Sequence, residues 1–176
     1  AKKAGLKLNT ASAQGVAMVR EAKREGLPVT CDVGVHHIHL CDVDIGWFDT
    51  QCHLVPPLRS TRDRTALREG LADGTIDLIC SDHTPVDDDA KQLPFGESEP
   101  GATGLELLLP LTLKWAAEEK LPLAAALARI TSRPAAVGQS MTPRAARSTC
   151  RCRRSVSSSG LGSAAARAQS VAGSVP

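Results

Sequence analysis

Residues 79–89 read Ile-Cys-Ser-Asp-His-Thr-Pro-Val-Asp-Asp-Asp. A short apolar run at 76–80 leads directly to Asp82 and His83, and a proline-containing turn follows. An α/β enzyme presents a carboxylate in this way, at the carboxyl end of a buried strand. The alternative is a strand whose terminal aspartate only caps a helix or stabilises a turn. The stretch therefore indicates an α/β fold and makes Asp82 a candidate catalytic residue.

Helical and strand patterns alternate on both sides of this stretch. An amphipathic helix is predicted at 13–25 and ends at Gly26, and Ser60-x-x-Asp63 resembles a capping box at the start of another. The predicted strands are 27–33 and 76–80, the further helices are 62–71, 105–118 and 123–130, and the segments 40–57 and 84–100 are irregular. Pro110 falls in the first turns of its helix or kinks it. This alternation predicts parallel strands joined by helical crossovers.

Composition places the chain among ordinary globular proteins. Its 176 residues are 42% hydrophobic, and only four residues are aromatic: Trp47, Phe48, Phe95 and Trp115. We find no apolar run of about 20 residues, as a membrane span requires, and no secretory signal. The six cysteines are therefore expected to be reduced thiols in a cytoplasmic protein, without a disulfide framework.

Charge and composition divide the chain at residue 138. Residues 1–138 hold 15 Lys/Arg and 19 Asp/Glu, whereas residues 139–176 hold six Arg and no acidic residue. The second segment is rich in Ser and Ala and poor in large apolar side chains. We therefore expect 1–138 to form the folded domain and 139–176 to be disordered, or to be an aberrant product of a shifted reading frame. A basic segment could bind nucleic acid non-specifically, but specific recognition is not expected.

Five segments of the chain form a recognisable set. They are Gly-Leu-Pro-Val-Thr-Cys-Asp-Val at 26–33, His-His-Ile-His-Leu at 36–40, Val-Pro-Pro-Leu-Arg-Ser at 55–60, Leu-Ala-Asp-Gly-Thr-Ile-Asp-Leu-Ile-Cys-Ser-Asp-His at 71–83, and Gly-Ala-Thr-Gly-Leu-Glu at 101–106. Together they resemble bacterial dihydroorotase, a member of the amidohydrolase superfamily. The resemblance extends over residues 6–138. It implies about three βα units from the C-terminal part of a metal-dependent (β/α)8 barrel, with the family's first-strand His-x-His pair expected upstream of Ala1.

The resemblance also implies a chemistry. The family reversibly hydrolyses the cyclic amide of dihydroorotate to N-carbamoyl-aspartate, and zinc polarises the carbonyl and activates a water. Asp82 falls on the carboxylate that ligates metal and acts as general base. Pro100 and Gly101 fall on a backbone loop that contacts substrate.

Three positions depart from the family pattern. Asn9 stands where a metal-ligand histidine is expected, and Val55 and Val86 replace an asparagine and a histidine that contact substrate. Asparagine is a poor zinc ligand, so zinc is expected to bind weakly or not at all. The pattern resembles inactive dihydroorotase-like paralogues that support aspartate carbamoyltransferase as structural subunits, and so implies an oligomer. The alternative is an active zinc-dependent dihydroorotase.

Other candidate metal ligands are weaker. Cys31, His36, His37, His39 and Cys41 lie within eleven residues, but their spacing fits no zinc finger or ribbon. Asp32 falls where some relatives place a metal-binding glutamate. The acidic run 87–89 could hold a hard cation, but an acidic run in a long loop is expected to be solvated.

Overall fold

The structure is a computed structural model, and it describes residues 6–140, with side chains described as far as residue 138. It contains three β-strands and six α-helices in this part of the chain, and three 3-10 helices lie in the connection between β2 and α2. In chain order they are β1 (Leu6–Asn9), α1 (Ala13–Arg24), β2 (Val29–Gly34), the 3-10 helices Val35–Ile38, Asp42–Ile45 and Thr50–Cys52, α2 (Thr61–Asp73), β3 (Leu78–Cys80), α3 (Asp88–Lys91), α4 (Leu108–Glu118), α5 (Leu123–Ile130) and α6 (Ser132–Ser140).

The three strands form one parallel sheet in the order β1-β2-β3. Leu6 is paired with Val29 at the start of the sheet, and Gly34 is paired with Cys80 at its carboxyl end. Helix α1 connects β1 to β2, and α2 connects β2 to β3, so each crossover is the helical connection that parallel strands require. The predicted βαβ organisation is confirmed.

The helices cover one face of the sheet and enclose the apolar core. Val33, Leu71 and Ile76 are fully buried there, and Trp115 from α4 is 1% exposed. Side chains alternate between the two faces of a strand. Since Cys31 and Val33 lie in the core, Asp32 points to the opposite face, where it forms an ion pair with Lys7 of β1. The sheet therefore has an apolar face against the helices and a polar face on the other side.

Three helix predictions are confirmed, and the fourth predicted helix starts three residues before the observed one. Helices α1, α2 and α5 occupy the predicted segments, and Gly26 follows α1 with φ +74. Helix α4 begins at Leu108, because the backbone N–H groups of Gly104 and Leu105 are bonded to the His83 side chain instead of entering the helix. Pro110 therefore lies in the first turn, where proline is tolerated.

The strand predictions were less accurate. Strand β3 begins at Leu78, two residues later than predicted, because the N–H of Ile76 bonds to Gly70 at the end of α2. Strand β1 was not predicted, nor were α3 and α6. Helix α6 extends to Ser140, two residues past the predicted domain boundary.

The predicted disorder of the rest of the 139–176 segment falls outside the described residues. Within residues 6–140, none of the helices combines the length and apolar character that a bilayer-spanning segment needs.

Candidate active site

The carboxyl ends of the three strands meet at one edge of the sheet and bring the predicted site residues together. Asn9 ends β1, Gly34 ends β2, and Asp82 follows β3 by two residues. Asn9 Nδ2 donates a hydrogen bond to Cys80 Sγ over 3.9 Å, so β1 and β3 are linked across the end of β2. The sequence prediction that Asp82 lies at the carboxyl end of a buried strand agrees with this arrangement.

Asp82 is held against the end of β2. A Cβ built on Gly34 would lie 3.2 Å from Oδ2 of Asp82 and 3.0 Å from Nδ1 of His37. Asp82 itself has a φ of +48, in the left-handed region where aspartate is more common than most side chains. The backbone turns sharply here, and the turn brings the carboxylate back over the sheet edge.

Two histidines follow β2 and are buried beside Asp82. The His37 Nε2–H donates to the carbonyl oxygen of Pro56 over 2.9 Å. His37 Nδ1 and His36 Nε2 are both buried and have no hydrogen-bond partner within the described part of the chain. Burial lowers the pKa of His36, and the neighbouring His37 lowers it further, against the opposing effect of Asp82. The neutral imidazole of His36 is therefore favoured at this edge.

The predicted substrate loop contacts the segment that carries Asp82. The Thr84 N–H donates to the carbonyl of Ala102, and the Gly101 N–H donates to the carbonyl of His53. Gly101 has a φ of +146, and a Cβ there would overlap the carbonyl oxygen of Thr84, so only glycine suits this position. Pro100 is exposed beside the buried Gly101. Asp82, Pro100 and Gly101 therefore belong to adjoining segments, although their proposed roles remain predictions.

The His83 side chain binds the loop that follows Gly101, a role that the sequence did not reveal. Its Nδ1 accepts hydrogen bonds from the backbone N–H groups of Gly104 and Leu105, at 3.1 and 3.2 Å. A Cβ on Gly104 would overlap the carbonyl oxygen of Ser81, so the two segments approach at backbone distance. The Asp-His and Gly-x-x-Gly pairs are the only sequence signals of this contact.

The two valines that depart from the family pattern lie near the same loops. Val86 Cγ2 is 2.9 Å from where a Cβ on Gly101 would be, so it borders the predicted substrate loop. Val55 is 68% exposed and precedes Pro56, whose carbonyl binds His37. Neither side chain can form a hydrogen bond with a polar substrate.

The described residues do not form a zinc site. Asn9 donates its amide hydrogen to Cys80, and Cys80 donates its thiol hydrogen to the Val33 carbonyl. Burial, with smaller contributions from Asp32 and Asp82, raises the pKa of Cys80 to about 12, so the thiol carries its proton in the structure described here. Across residues 6–140, no group of three His, Cys, Asp or Glu side chains is placed to hold a metal ion.

The other candidate metal ligands have structural partners or lie apart. His39 Nε2 donates to the carbonyl of Leu111, and Cys41 bonds to Asp44 within the same loop. Asp32 is paired with Lys7 at 3.0 Å on the polar face of the sheet. Asp87 to Asp89 are exposed at the start of α3, as expected for a solvated run.

Curated proteins of related sequence include dihydroorotases and dihydroorotase-like proteins. A dihydroorotase-like protein of Pseudomonas aeruginosa is 44% identical over 124 residues, which are 70% of this chain and 29% of that protein. A dihydroorotase of Ehrlichia chaffeensis is 39% identical over 128 residues, 73% of this chain and 29% of that protein. This chain is a relative of the dihydroorotases. It spans about 30% of the length of the curated dihydroorotases it matches, and no family model matches it.

Solved structures confirm the fold expected for a dihydroorotase relative. An L-hydantoinase (dihydropyrimidinase) from Arthrobacter aurescens superposes with a TM-score of 0.67 at 27% identity, over 74% of this chain and 30% of that one. A dihydroorotase from Saccharomyces cerevisiae, in complex with 5-fluoroorotic acid, gives 0.66 over 74% of this chain and 36% of that one. Its 14% identity supports the fold alone. The described residues thus correspond to part of an amidohydrolase (β/α)8 barrel, as predicted.

Proposed function

We propose that this chain belongs to a dihydroorotase-family protein of pyrimidine biosynthesis that is catalytically impaired and supports assembly of aspartate carbamoyltransferase. The observation that carries the first part is the hydrogen bond from Asn9 to Cys80. At the end of β1, where the family resemblance calls for a metal-ligand histidine, the side chain is a neutral amide that already has a partner inside the protein.

The two valines add to the impairment. Each leaves a substrate polar group without its hydrogen bond, at a cost of about 1–3 kcal/mol. Two such losses together with the missing metal ligand would reduce transition-state stabilisation by several kcal/mol, which corresponds to about a thousandfold in rate or more. Two of the most similar curated relatives are named dihydroorotase-like protein, whereas others are named dihydroorotase.

An active dihydroorotase is the second candidate, and the position of Asp82 favours it. The carboxylate is retained at the sheet edge, and the Gly101 loop is bonded to the same segment through Thr84. In this alternative Asp82 would move the proton, while Pro100 and Gly101 would contact dihydroorotate.

A chimeric protein would distinguish the catalytically impaired protein from the active dihydroorotase. Residues 6–138 would replace the corresponding segment of the dihydroorotase of Bacillus subtilis, which is 47% identical to this chain over 98 residues, 23% of its own length. We expect the graft to hydrolyse dihydroorotate at least a thousandfold more slowly than the parent, and the Asn9→His/Val55→Asn/Val86→His graft to recover much of the rate. A graft as active as its parent would contradict the impairment. Circular dichroism of both grafts controls for folding.

The assembly role needs its own test. Co-expression of a protein carrying this chain with the catalytic chain of aspartate carbamoyltransferase should yield one larger complex on size-exclusion chromatography. The matched control replaces Asp82 by Asn, which removes the candidate catalytic carboxylate and should leave assembly unchanged. Separate elution of the two proteins would refute the assembly role while leaving the catalytic question open.

A further inference from the structure

The backbone of segment 53–56 connects the predicted substrate loop to the sheet edge. At one end of the segment, the His53 carbonyl accepts from the Gly101 N–H over 2.8 Å. At the other end, the Pro56 carbonyl accepts from Nε2 of His37 over 2.9 Å. Whatever orients this segment therefore also affects where the substrate loop lies relative to the sheet edge.

The His53 side chain attaches the same segment to residues 95–98. Its Nδ1 lies 2.9 Å from the hydroxyl oxygen of Ser98, and that hydroxyl donates its hydrogen to the Phe95 carbonyl over 2.9 Å. A serine hydroxyl has one hydrogen, so its oxygen acts as the acceptor here and the Nδ1–H of His53 is the donor. Ser98 is only 4% exposed, so water does not readily take the place of this donor if it is lost.

An aromatic contact fixes the orientation of the His53 ring. The ring stacks on Phe95 with centroids 4.7 Å apart and planes inclined by 29°. Phe95 in turn meets Phe48 edge to face, with centroids 5.9 Å apart. Such contacts favour particular ring orientations, and the bond to Ser98 adds a second, directional constraint. His53 thus contacts the chain at 95, at 98 and at 101.

We propose that His53 is a positioning residue, which holds the Gly101 loop where it can contact a bound substrate. This inference rests on the proposed assignment of Pro100 and Gly101 to substrate contact. The loop is also anchored from the Asp82 side, where the Thr84 N–H donates to the Ala102 carbonyl. Loss of the His53 anchor leaves the loop held from that side alone, so substrate binding should weaken while the chemical step continues.

Hydrogen exchange of the Gly101 amide in the full chain tests the anchor itself. His53→Leu keeps an apolar side chain against Phe95 but removes the donor to Ser98, whereas His53→Asn keeps a donor close to the position of Nδ1. Both variants retain the backbone carbonyl, so a change in exchange reports on the side chain. We expect the Gly101 amide to exchange about tenfold faster in His53→Leu and within about threefold of the natural rate in His53→Asn.

A second histidine supplies the matched control. His39 also binds a backbone carbonyl through its ring, that of Leu111 in α4, so His39→Leu removes a comparable contact elsewhere. It should leave the exchange of Gly101 unchanged. Equal Gly101 exchange in the natural chain and in His53→Leu would overturn the proposal. Acceleration of the same size in His39→Leu or in His53→Asn would also overturn it, because the effect would then not depend on the donor at residue 53.

Kinetics of a restored graft test the connection with substrate. In the Bacillus subtilis graft that carries Asn9→His/Val55→Asn/Val86→His, the further change His53→Leu should raise KM for dihydroorotate about fivefold and change kcat less than about twofold, as expected for the loss of uniform binding. A fall in kcat at unchanged KM would contradict the positioning role. A restored graft without any turnover would count against the proposed function, whereas the exchange of the Gly101 amide would still decide the role of His53.

Discussion

At the scale of single residues, the sheet edge depends on how closely Gly34 approaches Asp82. A methyl group at residue 34 would lie 3.0 Å from His37 and 3.2 Å from Asp82, closer than side chains normally pack. Gly34→Ala should therefore displace one of them and lower the free energy of unfolding by about 1–3 kcal/mol. Urea unfolding measures this, with Gly96→Ala as the control, because nothing lies within 4 Å of a Cβ there. An unchanged Gly34→Ala variant would show that Asp82 is not held at this edge.

A second residue-scale prediction concerns the ion pair on the polar face. The side chains of Lys7 and Asp32 are 22% and 7% exposed, and one Asp32 oxygen already lacks a partner in the described structure. Lys7→Met leaves the buried carboxylate unpaired and should cost about 3 kcal/mol of stability. Lys7→Met/Asp32→Leu should recover most of it, since both charges are then gone. If the single variant unfolds at the same urea concentration as the natural chain, the pair contributes nothing.

Sequence and resemblance anticipated some of these residues and not others. Asp82 and Gly101 are recognisable because they lie in motifs whose spacing along the chain is fixed. The contacts of His83 and Lys7 depend on distant segments, such as the Gly104 loop, meeting in space. Periodicity within one segment carries no information about them.

At the scale of elements, α1 and α2 begin together at a shared carboxylate. Ser60 caps α2 by accepting from the Asp63 N–H, and Asp63 Oδ1 accepts from Ala13 N–H at 2.7 Å, at the start of α1. Ser60→Ala should cost about 1 kcal/mol, as loss of an N-cap does. Asp63→Ala should cost more, because it removes both the acceptor of the Ser60 hydroxyl and the acceptor of the Ala13 N–H at the start of α1. Urea denaturation of both variants measures the two losses of stability. A larger loss for Ser60→Ala than for Asp63→Ala would contradict the role of the Asp63 carboxylate in both helices.

The elements that could be predicted are those with strong local signals. Helices α1, α2 and α5 have clear apolar periodicity and recognisable ends. Strand β1 has four residues, α3 has four, and α6 contains Pro134 and Gly138, so each lacks a distinct pattern of its own. Strand β1 forms because it pairs with β2, and a pattern within one segment does not reveal a contact with another segment.

At the scale of the whole molecule, buried histidines make stability depend on pH. Burial is the largest cause that lowers the pKa of both His36 and His39. The unfolded chain then binds more protons than the folded one below the ordinary histidine pKa near 6.5. Stability should be fully present above that pH and should fall as pH decreases through the lowered folded pKa values. Unfolding midpoints at pH 7.5 and 5.5 measure the slope, and His39→Gln should reduce it. A slope of the opposite sign would contradict the burial of these rings.

The sheet itself is open on both sides within the described residues. Strands β1 and β3 each pair with one neighbour only, and the curated relatives are about three times as long as the matched region. The shared segment supplies the Asp82 edge, and the family resemblance implies further metal ligands on the first strand of the barrel. The effect of Asn9 must therefore be measured in a barrel that contains those ligands.

The zinc content of the Bacillus subtilis graft tests the central claim most directly. Both the graft with Asn9 and the graft with Asn9→His would be purified with zinc present and measured by atomic absorption. Because the Asn9 amide donates to Cys80 and offers no imidazole, we expect the Asn9 graft to hold clearly less zinc per chain than the Asn9→His graft. Equal and stoichiometric zinc in the two grafts would contradict the proposal that this chain has lost its metal site.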